Sequence, residues 1–210
     1  LHSTWGGNKI IATFILLFFD IIYTSTKYIR GAYVSKMQIQ PLDINTHLFY
    51  MNRKSEIERR LMEIESEWSD DRLINFLKQN YDKHSHEFVL CKIDNIISDT
   101  QILENLIEGF GRKILAKIYK RLAENFTEHK TGFPDLLVSN AGKKKYFRAV
   151  KKSSAKLSIE EILWLDCLRS NETEVEIAPL RPLDIKKCIK KGENNDLPKA
   201  STSSPSDKVP

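Results

Sequence analysis

Residues 10–19, Ile-Ile-Ala-Thr-Phe-Ile-Leu-Leu-Phe-Phe, limit this chain more than any other stretch. A run with no charge and one hydroxyl cannot coat a solvent-facing element, so it is either buried or in lipid. A bilayer span needs about 20 apolar residues, and Asp20 interrupts this one well short of that. No basic n-region or small-residue cleavage site supports a secretory leader. The expectation is a buried helix continuing through Ile21, Ile22 and Tyr23, with no membrane span. A chain of 210 residues, 41% hydrophobic and 29% charged, can build one domain around such a helix, or one domain plus an appended subdomain. Its first residue is Leu1 rather than Met, which reads as a fragment or an incomplete gene model.

Charge is unevenly spread. Residues 112–191 carry 19 Lys and Arg against 10 Asp and Glu, whereas residues 1–111 carry 12 against 15. The positive field belongs to one segment and points to a polyanionic partner there. Cys91, Cys167 and Cys188 form no CxxC and leave one over, which argues against a disulfide framework or a zinc knuckle and for a reducing compartment.

To about residue 130 the pattern is mostly helical. Pro41-Leu42-Asp43 breaks it, and Ser55 reads as the cap of a helix with Ile57, Leu61 and Ile64 inside. Its outer face, Glu56 to Glu65, alternates in sign as a solvated surface does. Ser69-Asp70-Asp71 opens a short helix carrying Leu73, Phe76 and Leu77. Residues 81–86 read as a loop, where His84 and His86 are either surface histidines or, less simply, a metal pair. A helix from Asp99 stops at Gly109-Phe110-Gly111. The next, residues 112–126, stacks Ile114, Ile118, Leu122 and Phe126 on one face, with Lys113, Lys117, Lys120 and Arg121 on its flanks. Those cations suit either a phosphate backbone or solvent.

Beyond Gly132 the period changes. Residues 133–138 read as a short apolar strand, Asn140-Ala141-Gly142-Lys143 as a hairpin turn, and residues 146–151 as a second strand. Ser158 starts a helix with Ile162, Leu163, Leu165 and Leu168 as its buried positions, and residues 174–178 form a third strand. A hairpin, a helix and a strand imply a small mixed sheet with a helix packed on it, hence an α+β class. Residues 192–210, rich in Ser, Pro, Asn and Lys, are expected to be disordered.

Asp135 begins the first of these strands and Lys151 lies on its neighbour, so the two are expected to meet on one face. A carboxylate beside a lysine there is a way to hold Mg²⁺ and orient a water next to a phosphodiester. Around the same hairpin, Lys143, Lys144, Lys145, Arg148, Lys151, Lys152 and Lys156 add charge that favours DNA-backbone contact over a merely solvated turn. Lys186-Lys187 with Lys190-Lys191 make a short patch of the nuclear-localisation type.

The stretch Thr131-Gly132-Phe133-Pro134-Asp135-Leu136-Leu137-Val138 resembles the Pro-Asp strand of the VRR-NUC domain, a branch of the PD-(D/E)xK nucleases. Lys156-Leu157-Ser158 with Trp164-Leu165 and Glu174-Val175-Glu176-Ile177 are similar to its later helix and strand. Residues 19–23, Pro41-Leu42-Asp43, Phe49 and Arg53 look like the stretch before that domain in Fanconi-associated nucleases. The resemblance covers residues 1 to about 185. It implies a restriction-endonuclease-like mixed sheet with packed helices. Residues 1–98 would be a mainly helical lead-in, 99–185 the VRR-NUC domain, and 186–210 a basic then disordered tail.

The resemblance further implies 5′-flap endonuclease and 5′-to-3′ exonuclease action on branched DNA, in nuclear interstrand crosslink repair, with Mg²⁺ or Mn²⁺. Ubiquitinated repair partners would be met through N-terminal domains outside this sequence. Asp135 would bind metal with the Val150 backbone carbonyl, and Lys151 would orient the nucleophile. Departures from the family pattern accompany these matches. Its Glu-x-Lys strand here reads Ala149-Val150-Lys151, and an earlier family glutamate is replaced by Thr4 or Trp5. Glu161 stands where relatives carry Gln. It either substitutes for the missing acid, at the metal and in catalysis, or closes a Ser158-x-x-Glu161 capping box. Two classes of function stay open: a nuclease with impaired activity, and a non-catalytic DNA-binding remnant.

Overall fold

The computed structural model describes residues 2–4, 6–24, 29, 31–35, 38–87, 89–138, 146–152 and 155–180. Trp5, the turn at residues 140–143 with Lys143, Lys144 and Lys145, the Lys186–Lys191 patch and the Ser/Pro-rich end lie outside the described residues. The chain divides into one compact unit, Leu1–Pro179, and a remainder, Leu180–Pro210.

In order, the elements are β1 (His2–Thr4), α1 (Gly7–Leu17), a π-helical turn (Asp20–Thr24), α2 (Leu48–Met62), a second π turn (Glu63–Glu67) and α3 (Asp70–His84). There follow α4 (Ile93–Ile96), α5 (Gln101–Phe110), α6 (Arg112–Glu124), α7 (Phe126–His129), β2 (Leu136–Val138), β3 (Tyr146–Lys152), α8 (Ile159–Ser170) and β4 (Glu174–Leu180). This is the expected α+β class. No helix among the described residues is long and apolar enough to cross a membrane.

The apolar run forms α1, and it is apolar on nearly every side because it sits in the middle of the core. Residues 12 to 17 are all buried, and the ring of Phe14 meets Phe18, Tyr119 and Phe126 at centroid distances of 5.0, 6.2 and 6.0 Å. The one hydroxyl in the run is satisfied: Thr13 accepts from Tyr119 at 2.8 Å and donates back along its own helix. After Leu17, Arg60 from α2 donates to the Leu17 carbonyl at 2.5 Å and pairs with Asp20 at 2.7 Å, and the helix widens into its π turn there. The charge that ends the apolar run is thus answered by a buried arginine.

Several helix limits differ from the sequence expectation. Ser55 is not a cap but lies inside α2, which starts seven residues earlier. The N-terminal signal is Thr46, whose Oγ1 accepts from Leu48 N–H at 3.2 Å. Phe49, Arg53, Ile57 and Arg60 form the buried face of α2, and fully buried Arg53 is held by Asp43 at 2.8 Å and stacks on Phe49. Residues 81–84 are the last turn of α3 rather than a loop. His84 is buried there, its ring 3.6 Å from that of Phe19 and its Nδ1 2.6 Å from Glu87. His86 is exposed and faces Asp94, so the two histidines do not converge as a metal pair.

The sheet runs in the order β1-β2-β3-β4. β1 pairs antiparallel with β2, Thr4 opposite Leu136, and β2 pairs antiparallel with β3, Leu136 opposite Arg148. Alternation puts Phe147, Ala149 and Lys151 on one face of β3 and Tyr146, Arg148 and Val150 on the other. The first face is covered by helices: Phe147 packs on Phe110 and Phe133, and Phe133 on Trp164 of α8. At Gly109, a Cβ would run into the Leu137 side chain, which shows how closely α5 rides on β2.

β1 was not expected, since three residues are too few to show an alternation. On α8 the buried positions are Trp164, Leu165 and Leu168, whereas Ile162 and Leu163 are 44% and 47% exposed. At 100° per residue, the face set by Trp164 and Leu168 turns those two residues away from the sheet.

Candidate functional site

The loop that delivers Asp135 is fixed at both ends. Asn125 caps α7 by accepting from Glu128 N–H at 3.3 Å. His129 Nδ1 lies 2.6 Å from the Arg121 carbonyl and must donate to it, because a carbonyl only accepts. Trp164 Nε1–H donates in turn to the His129 carbonyl at 3.0 Å, tying α8 to α7. Burial, the largest influence on His129, pushes its pKa down. Gly132 then turns the chain at φ +84°, and a Cβ there would stand 2.6 Å from the backbone of Glu160. Only glycine combines that torsion with that contact. Gly132→Ala is therefore expected to cost about 2 kcal/mol, read as a lowered Tm, and to move Asp135 away from α8.

Asp135 is exposed, just before β2, and its Oδ2 accepts from Val150 N–H at 2.8 Å. The pairing register, continued by two residues, sets Pro134 opposite Val150. The side chain of Asp135 thus takes a proton the ladder would have used. Pro134 has no N–H to return to the Val150 carbonyl, so that oxygen and the Asp135 carboxylate share one end of the strand pair.

Lys151 shares the Ala149 face, as expected, but its ammonium bonds Glu161 on α8 rather than Asp135. The other Glu161 oxygen accepts from Ser158 N–H at 2.8 Å, while Ser158 Oγ accepts from Glu161 N–H at 3.3 Å. The capping box is therefore present in both directions. Partial burial works against the Glu161 carboxylate, but Lys151 and the Ser158 N–H outweigh it and hold its pKa below the ordinary glutamate range. Both oxygens of this carboxylate are engaged.

Two positions at which the resemblance expects an acid, Ala149 and Thr4, lie on strands at this end of the sheet; the alternative to Thr4, Trp5, is outside the described residues. Ala149 is 4% exposed and, by the same register, faces Asp135 across the strand pair. Thr4 lies opposite Leu136, beside Asp135, on the other flank. Among the described residues, no group of three or more His, Cys, Asp or Glu side chains assembles as a metal cage. What fits a divalent ion is narrower: one carboxylate and one carbonyl, with the remaining positions open to water or a phosphate. Mg²⁺ commonly binds through one or two carboxylates plus substrate phosphates, so a single ion suits this set and a bridging pair does not.

The basic candidates are dispersed. Lys117 and Lys120 are exposed on α6. Arg121 is turned inward, its guanidinium 5.1 Å from the Trp164 ring centre and its Nε buried without a partner. Arg148 points to the face opposite Lys151 and is bound by Glu176 of β4 at 2.8 Å. Lys152 closes β3. A cleft of about 740 Å³ lies at the far end of α8, between the start of α6 and the α8–β4 turn. It includes Lys117 but none of Asp135, Val150, Lys151 and Glu161. The candidate chemistry is at the strand ends, not in that cleft.

The VRR-NUC domain pattern matches residues 52–181, more than half of the chain, and contains Asp135, Ala149, Lys151 and Glu161. The chain belongs to the VRR-NUC domain family. Among curated relatives of this VRR-NUC chain, the Fanconi-associated nuclease 1 homolog of Schizosaccharomyces pombe is 30% identical over 179 residues, 82% of this chain and 24% of the relative. Fanconi-associated nuclease 1 of Danio rerio is 29% identical over 174 residues, 81% of this chain and 17% of the relative. The chain spans about a quarter or less of the length of these relatives. The crystal structure of paFAN1 bound to 5′-flap DNA with a 2-nucleotide flap and a gap superposes with a TM-score of 0.71 at 22% identity. It covers 86% of this chain and 32% of that one, and shows that the two share a fold.

Proposed function

We propose that this VRR-NUC chain is the hydrolytic module of a structure-specific DNA nuclease that acts on 5′-flapped or branched DNA, and that its hydrolysis is slow. The reading rests on one observation above the rest: adjacent residues of β3 bring two contacts to the end of the strand pair, Val150 N–H to Asp135 and the Lys151 ammonium to Glu161. Mg²⁺ or Mn²⁺ would be held by Asp135 and the Val150 carbonyl, where it would neutralise phosphate charge and activate a water. Lys151 supplies a positive charge for the developing charge on the phosphate. Gly132 and Pro134 keep the Asp135 carboxylate on the strand end, and Lys117 and Lys120 offer backbone contacts on α6. The wider setting that the family suggests, interstrand crosslink repair in the nucleus with 5′-to-3′ exonuclease action, belongs to the same proposal. Slowness follows from Ala149, whose methyl group ligates nothing.

Buried Ala149 also favours a second reading, a DNA-binding remnant without catalysis. Cleavage of an end-labelled 5′ flap in Mn²⁺ separates the two. The nuclease reading expects slow cleavage that Asp135→Ala abolishes. Salt-sensitive flap binding with no cleavage by either protein would overturn it in favour of the remnant.

A further inference from the structure

Glu161 occupies the charge that a phosphate would need. Its carboxylate holds the Lys151 ammonium on one oxygen and the Ser158 N–H on the other, and both side chains are more than three-quarters buried. We infer that Glu161 is not a metal ligand but a latch, a positioning residue that keeps Lys151 docked on α8 until a DNA phosphate displaces it. The inference rests on the functional reading above and adds how the site is controlled.

The physical argument turns on competition. Lys151 is paired with a carboxylate held below its ordinary pKa, so that carboxylate stays charged at neutral pH. An incoming phosphodiester must exchange for it, and the exchange subtracts the strength of the ion pair from the binding of DNA. As a metal ligand instead, Glu161 would have to share with the cation an oxygen that Lys151 or the cap already holds, weakening one contact to gain another. The capping box also fixes where the carboxylate can point: its backbone partner lies at the start of α8, while Lys151 comes from β3. The latch therefore ties the helix to the strand that carries the family lysine.

The test uses Glu161→Gln, which retains an amide oxygen for the Ser158 N–H, so that the cap survives. Flap DNA binding is measured by fluorescence anisotropy at low salt in EDTA, where no metal takes part. Glu161→Gln is expected to bind about fivefold more tightly than the wild-type chain, the factor that one partly exposed ion pair supplies. The gain should vanish in a Lys151→Met background, and the Tm of Glu161→Gln at neutral pH should fall by no more than about 3 °C, the loss of the Lys151 pair with the cap intact.

Equal or weaker binding by Glu161→Gln overturns the latch, as does an equal gain without Lys151, because bulk charge would then explain it. Binding by the variant alone supports a latch that is closed in the wild type. No binding by either protein overturns the functional reading and the latch together, an outcome distinct from equal binding by both.

Discussion

Ala149→Glu is expected to raise Mn²⁺-dependent flap cleavage by about 100-fold. The substitution puts a carboxylate directly across the strand pair from Asp135, on the face of β3 that already carries Lys151. The same change has a stability signature. Position 149 is 4% exposed, so a new charge there is buried beside an existing one when no cation is present. In EDTA the variant should melt about 5 °C lower than wild type, and Mn²⁺ should restore most of the loss, because an ion that binds only the folded state stabilises it by mass action. A variant that melts lower and recovers with Mn²⁺, yet cleaves no faster, would locate the defect outside the ligand set. Cleavage equal to wild type with no metal-dependent recovery would mean that position 149 does not face the ion.

Asp135 separates structure from chemistry in the second large effect. Asp135→Asn retains an oxygen for Val150 N–H and should melt within about 1 °C of wild type, whereas Asp135→Ala strands that donor at a cost of about 1 kcal/mol. Both should lose cleavage to background, since neither offers a carboxylate. If Asp135→Asn cleaved normally, the 2.8 Å bond to Val150 would be the whole purpose of the residue. A separate pH series checks the sign at the Glu161 carboxylate. The Glu161 pKa is lowered on folding, so its contribution to stability is present at neutral pH and above, and is lost as pH falls through its folded pKa. Glu161→Gln should remove that part of the acid-side loss.

What was legible in the sequence divides along physical lines. α1 was legible because ten adjacent uncharged residues allow one solution, and the strand–helix–strand end was legible because the hydrophobic period changes at Gly132. The candidate acids and the gap at Ala149 were legible only through resemblance, since no periodicity identifies a metal ligand. β1 escaped notice because its alternation spans three residues and acquires meaning only from pairing with β2. The start of α2 is hidden in the sequence because its N-cap position, His47, makes no side-chain cap and the only local mark is the Thr46 hydroxyl accepting from Leu48 N–H, while Ser55 imitates a cap from inside the helix. His84 looked like a loop histidine because nothing local records that Phe19 stacks on it. Lys151 was paired with the wrong carboxylate for a related reason. Strand parity gave its face correctly, but the reach of its side chain to α8 depends on how the helix docks, and the docking is set by Trp164 and Gly132.

The measurement closest to the central claim counts the ion directly. Mn²⁺ would be titrated into the wild-type chain, with and without 5′-flap DNA, and followed by electron paramagnetic resonance, with Asp135→Asn and free DNA as references. A site of one carboxylate and one carbonyl, completed by a phosphate, predicts weak binding by the chain alone and a single additional ion in the DNA complex that Asp135→Asn removes. Tight binding without DNA, or the same uptake by the Asp135→Asn complex, would contradict it.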